Sequence, residues 1–340
     1  MPNLTSYPHA LIVFDMDGVL IDVSRSYRET TRQAARLFFT GAIGWQHLPN
    51  PLFSLADLAD IKQAGGLNND WDVTYRVIQL LCQRVAAPQT TPDMDISWES
   101  YRNTLSTWDV NPLTRFLDST RHPLASLFAK SAAMDPADTF VAATYRGDVG
   151  SGNIIKQIFQ EIYLGPMLFS NTYGFSPALH TGNGLNAQEK PLIEPSLVRE
   201  LANKNILAVA TGRPGSEAKY GLDMFGFKKY FTRVLTLDDC LAAEHARLKN
   251  DETKRSLSKP DPFMLDAIGE QIAELPAKRY YVGDMPDDML AASRSEAGFI
   301  GIGFTASAQD KTGLDQKLMA NGASRVFDTA DDLVQFFSAR

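Results

Sequence analysis

The feature that most limits how this chain can fold is a set of short, unbroken apolar runs that recur between helical stretches. They are LIVF at 11–14, NILAVATGRP at 205–214, RVLTL at 233–237, RYYVGD at 279–284 and GFIGIGF at 298–304, with SRVFD near the end. Runs of this length, rich in β-branched and aromatic types and without polar alternation, read as strands covered on both faces. Helical patterns at 215–225, 261–273 and 286–297, and in the closing TADDLVQFFSA, separate them. Strand and helix in alternation imply an α/β fold with a parallel sheet between helical layers.

Residues 23–185 break that alternation. Val73, Val77, Leu80 and Leu81 fall at helical spacing, as do Ile154, Ile158 and Ile162, where the pattern stops at Gly165-Pro166. Further helices are predicted near 27–39, 54–64 (ended by Gly65-Gly66) and 113–134. The run at 11–14 has the character of the later strands, so the economical division is a sheet domain of residues 1–22 plus 186–340. A helical domain of residues 23–185 is then inserted after the first strand.

At 340 residues the chain can build two cores, and 44% hydrophobic with 21% charged residues is ordinary globular composition. A formal charge of -7 argues against a general nucleic-acid binder, whose footprint is basic. No apolar stretch reaches the roughly 18 residues of a membrane span, so neither nucleic acid nor membrane is expected as a partner. Cys82 and Cys240 stand alone, which suits a reducing compartment. The start MPNLTSYPHA lacks a secretory pattern, and a cytoplasmic location is expected.

The polar residues that follow each run carry the chemistry, because ligands of open parallel sheets lie beyond the carboxyl ends of the strands. After LIVF come Asp15, Asp17 and Gly18; strand alternation would aim Asp15 and Asp17 into one space. After ILAVA come Thr211, Gly212, Arg213 and Pro214. A hydroxyl, accessible amides and a helix N-terminus there favour an anion. After YYV comes Gly283-Asp284-Met285-Pro286-Asp287-Asp288, in which Asp284 and Asp288 could share a hard cation with Asp15. Lys259 in KPDP supplies a positive group. Taken singly, each cluster reads equally well as a turn or a helix cap.

Together, DMDGVLID, TGR, KPDP and GDMPDD, in this order, resemble the four-motif set of the haloacid dehalogenase superfamily. The insertion after the first strand resembles its subfamily I arrangement with a helical cap of the C1 type. DGVLIDVSRSYRET and GGLNNDWDVTY also resemble a poorly characterised, phosphatase-like clade. The resemblance implies a Rossmann-like core with an inserted all-α cap, and a magnesium-dependent phosphatase acting on a small phosphorylated metabolite. In it Asp15 is the nucleophile that forms an aspartyl-phosphate and Asp17 the acid/base. Thr211 and Gly212 hold transferring oxygens, while Lys259 ties nucleophile to phosphate. Magnesium is held by Asp15, the main-chain carbonyl of Asp17, Asp284 and Asp288, the last preferred to Asp287 by its spacing. Dehalogenases of the superfamily lack the second acid, so Asp17 favours phosphoryl transfer. Arg25 and Tyr27 from the cap and Arg213 from the core are candidates for substrate binding. The alternatives are a phosphomutase of the same superfamily and, from another class, a non-catalytic interaction module.

Two further features carry little. RGDVGSGNII has phosphate-loop glycine spacing, but Asn153 stands where that motif needs lysine, so a turn and helix start is expected. Asp22 lies where the cap begins and reads as a turn or capping residue.

Overall fold

The structure, a computed structural model, describes residues 9–63, 69–86, 97–128, 140–249, 255–272, 274, 276–308 and 310–338. Gly65, Gly66, Asn68, residues 129–134 and residue 273, all part of expected elements, lie outside the described residues. Two compact units are present: Met1–Val23 with Lys190–Arg340, and Ser24–Glu189.

In the first unit, β1 (Leu11–Phe14), β4 (Ile206–Ala210), β5 (Arg233–Leu235), β6 (Arg279–Gly283), β7 (Ile300–Phe304) and β8 (Arg325–Phe327) form a six-stranded sheet in the order β5-β4-β1-β6-β7-β8. Every pairing in it is parallel. A separate antiparallel pair joins β2 (Ile21–Asp22) to β3 (Lys190–Pro191). Asp22 therefore lies in a two-residue strand opposite Lys190, which corrects its reading as a turn residue. Pairs this short leave no apolar period to read.

β1 is central because all four of its side chains are fully buried; burying one such side chain contributes about 1.5–3 kcal/mol. Val13 faces Ala208 on one side and Tyr281 on the other. On one sheet face, Leu11, Val13, Ala208, Ala210 and Tyr281 pack with residues of α12 (Phe263–Glu270) and α13 (Pro286–Arg294). On the other, Tyr280 lies 5.2 Å from Phe337 of α15 (Ala330–Ser338). The remaining helices of this unit are α9 (Pro195–Ala202), α10 (Gly215–Met224), α11 (Leu237–Lys249) and α14 (Lys311–Ala320). Three of them, α9, α11 and α14, were not expected. In α11 only Cys240 is buried, so its apolar stripe is too thin to show in the sequence.

The helical unit contains α1 (Tyr27–Leu37), α2 (Leu55–Gln63), α3 (Asp70–Cys82), α4 (Trp98–Leu105), α5 (Asn111–Ser119), α6 (Pro123–Phe128), α7 (Phe140–Ala143) and α8 (Ile154–Tyr173). Among its described residues no strand occurs, and only the single bridges Ile43–Asp109 and Ala86–Asp109 do. The helix expected from 113 onward is two helices. Thr120 is extended at φ -125°, and Pro123 cannot continue a helix but can begin one. α8 breaks at Gly165 (φ 71°) and resumes from Pro166 instead of stopping there.

Two buried carboxylates organise this unit. Asp57 accepts the amides of Leu124 and Ala125 at the start of α6, at 2.8 and 3.2 Å. Glu161, fully buried, accepts the amides of Ala178 (2.7 Å), Leu179 (2.8 Å) and His180 (3.1 Å) and the side chain of Gln157 (2.9 Å). The RGDVGSGNII segment is a turn closed by Ser151 on Asp148, after which Asn153 caps α8 by accepting from the Lys156 amide.

Candidate active site

The order of the sheet reverses at β1, with β4 and β6 as its two neighbours, and such a switch point opens a crevice at the strand ends. Asp15 follows β1, Thr211 follows β4 and Asp284 follows β6. Asp15 is fixed by its own amide, which donates to the Val282 carbonyl at 2.9 Å.

Strand alternation does not place Asp17, because β1 ends at Phe14. A turn does so: the amides of Leu20 and Ile21 both return to the Met16 carbonyl at 2.9 Å. Gly18 is required in it, since its φ is 76° and a Cβ would lie 2.0 Å from Oδ2 of Asp284. The absence of that side chain lets the β6 carboxylate approach the β1 turn.

Asp15, Asp284 and Asp288 each offer an oxygen within 4.8 Å of the others, and all three are buried. Lys259 is the ammonium between two of them: its Nζ lies 2.8 Å from Oδ1 of Asp15 and 2.8 Å from Oδ1 of Asp288. The loop that carries it is held by Leu257, which is fully buried and whose amide donates to Glu244 at 2.7 Å. Asp288 also accepts from the Tyr281 hydroxyl at 2.9 Å and, through Oδ2, from the Met285 amide at 2.9 Å.

Burial, followed by the charges of Asp288 and Asp17, outweighs Lys259 and pushes the Asp15 carboxyl up to about 7. For Lys259, burial opposes the charged form, but Asp15 and Asp288 prevail and hold it well above its ordinary value. Three buried carboxylates, two of them on one ammonium, form a site that a further cation would balance. Their all-oxygen donors suit a hard divalent ion.

The segment after β4 departs from expectation in two ways. Thr211 is buried and its hydroxyl accepts the Arg213 amide at 3.2 Å, while Gly212 is exposed with open space where a Cβ would stand. The N-terminus of α10, however, is already served, because the Gly215 amide donates to Asp238 at 3.0 Å. Arg213 is not presented to a ligand: it is 2% exposed, and its Nε and Nη2 lie 2.7 and 2.6 Å from Oδ1 of Asp17.

Arg25 and Tyr27 belong to the helical unit. Arg25 is exposed. Tyr27 is a core residue, 5% exposed, with its ring stacked 4.3 Å from Tyr163 and 5.9 Å from Phe159. Tyr281, absent from the candidates, was hidden because in the sequence it reads as one more apolar strand residue.

Comparison with known proteins bears on the fold and the family. Phosphatase Tt82 from Thermococcus thioreducens is 20% identical, with a TM-score of 0.50 over 91% of this chain and 99% of that one. A structural-genomics target solved by X-ray crystallography is also 20% identical, with a TM-score of 0.61 over 95% of this chain and 97% of that one. These likenesses show a shared fold. A 71-residue stretch is 35% identical to an imidazoleglycerol-phosphate dehydratase of Phytophthora nicotianae; it covers 21% of this chain and only 13% of that protein. The model of the haloacid dehalogenase-like hydrolase family matches residues 9–295, and the chain belongs to that family.

Proposed function

We propose that this hydrolase is a magnesium-dependent phosphatase that cleaves a small phosphorylated metabolite through an aspartyl-phosphate. The observation that carries the reading is Asp15, held at the end of the central strand beside Lys259, Asp284 and Asp288, with a second carboxylate two residues on. Asp15, Asp284 and Asp288, with the Asp17 main-chain carbonyl, would hold the magnesium. When bound, the cation would screen these carboxylates from the phosphate and offset charge on the transferring group.

The Asp15 carboxylate attacks phosphorus as the ester P–O bond breaks, and protonated Asp17 gives its proton to the departing alkoxide oxygen. This yields the aspartyl-phosphate, a free alcohol and the Asp17 carboxylate. Asp17 then takes a proton from water as the water oxygen attacks phosphorus, which restores Asp15 and releases inorganic phosphate. The Thr211 hydroxyl and Gly212 amide hold transferring oxygens, and Lys259 orients Asp15.

The test is a screen of phosphorylated metabolites for phosphate release with magnesium and without any added bisphosphate. Asp15→Asn should lower release by at least about a thousandfold, and excess chelator should silence the wild type. An Asp15→Asn protein that kept a tenth of the rate would remove the nucleophile, whereas turnover only with added bisphosphate would mark a mutase.

A further inference from the structure

Arg213 was expected to meet substrate, yet its side chain is 1% exposed while that of Asp17 is 27% exposed. A slot is built for it. A Cβ on Gly221 of α10 would lie 3.2 Å from Nη1 of Arg213, and 3.0 and 3.2 Å from Ile21 and Met16. The backbone is pinned as well: the Arg213 carbonyl accepts the Leu237 amide at 3.0 Å, and its amide donates to Thr211. A surface ion pair has no such housing.

We propose that Arg213 is the positioning residue for the acid/base of the reaction, an assignment that rests on the phosphatase reading. Its Nε–H donates to Oδ1 of Asp17 at 2.7 Å and its Nη2 lies 2.6 Å from the same oxygen, and among the described residues none donates to Oδ2. Oδ1 is thus held by the guanidinium edge, and Oδ2 is left open. With Oδ1 held by Arg213, the oxygen that faces the reaction is Oδ2, so Asp17 delivers and recovers its proton through one defined oxygen. Phosphorylation moves the Oδ2 proton to the departing alkoxide and leaves Asp17 ionised; hydrolysis returns a proton from water to Oδ2. A lysine would place a point charge there without the planar two-donor edge that holds Oδ1.

The test exploits the fact that a departing alkoxide needs a proton and a p-nitrophenolate does not. Arg213→Met and Arg213→Lys are compared with wild type by kcat/KM, which reports the steps through leaving-group departure and is blind to later hydrolysis. The probes are glycerol 2-phosphate and p-nitrophenyl phosphate, with magnesium. Arg213→Met should lose about tenfold to hundredfold on the alkyl ester, within the range of general-acid contributions. It should stay within about threefold of wild type on the aryl ester, and Arg213→Lys should show the same selectivity. Equal losses on the two probes, or no loss, would overturn the assignment. Failure of both variants to fold would overturn it too, in favour of a purely structural arginine. A wild type that released phosphate from neither ester nor from any screened metabolite would instead remove the phosphatase reading, and this assignment with it.

Discussion

Replacing Lys259 by methionine keeps the bulk of the side chain and deletes its charge. With Nζ at 2.8 Å from both Asp15 and Asp288, each contact amounts to about 6 kcal/mol at an effective dielectric near 20. The two carboxylates, no more than 4.8 Å apart, repel by about 3.5 kcal/mol or more on the same scale. Desolvation offsets most of the attraction, so removing the ammonium should cost about 3–5 kcal/mol, as breaking other buried pairs does.

The cost should depend on pH in metal-free protein. Asp15 has its carboxyl pushed up to about 7 in the fold, against an ordinary 3.8. Between those values the folded protein keeps a proton that the unfolded chain has released, so stability falls as pH rises through that window. In Lys259→Met the carboxyl rises further, and the fall continues to higher pH. Urea denaturation in chelator at pH 5 and pH 8 should therefore give a variant deficit about 1 kcal/mol larger at pH 8 than at pH 5, because one proton changes stability by about 1.4 kcal/mol per pH unit and the two proteins diverge only above about 7. A deficit that is the same at both values, or below about 1 kcal/mol at pH 8, would refute the paired-charge account of Lys259.

Three other outcomes are expected. Tyr281→Phe removes the hydroxyl donor to Asp288 and should cost about 1–3 kcal/mol, with weaker magnesium binding by calorimetry; unchanged affinity would show that Asp288 needs no such support. Magnesium added to chelator-stripped protein should raise the melting temperature, by about 2.7 kcal/mol of stabilisation at a hundred times Kd. Asp284→Asn should blunt that rise, and an equal rise would take Asp284 out of the cation site. Glu161→Gln replaces one oxygen that accepts backbone amides of residues 178–180 and should destabilise the protein by about 3 kcal/mol, measured by denaturation; a loss under about 1 kcal/mol would show that the loop does not depend on the carboxylate.

The parallel sheet was legible because β1, β4, β6 and β7 are nearly all buried, and burial on both faces leaves unbroken apolar runs. The acidic residues after β1 and β6 stood out for a related reason, since charge beside such a run is conspicuous. Long-range pairing was not legible. Asp17 and Arg213 are 196 residues apart, and no local period joins a carboxylate in a turn to a guanidinium after the next strand of the sheet. The Asp238 carboxylate on the Gly215 amide escaped for the same reason. The hydroxyl contacts of Tyr281 and the stacking of Tyr27 were not legible, because an aromatic ring fills a core whatever its hydroxyl does.

The central place of β1 has a consequence for the protein's birth. Its two sheet neighbours, Ile206–Ala210 and Arg279–Gly283, are synthesised only after the whole helical unit, Ser24–Glu189. At about 5–20 residues per second on the ribosome, an apolar LIVF segment waits roughly ten to forty seconds for its first partner strand. Nascent chains are therefore at their most exposed to chaperones and to mispairing just after the helical unit emerges, and a pause in translation before β4 would lengthen that hazard.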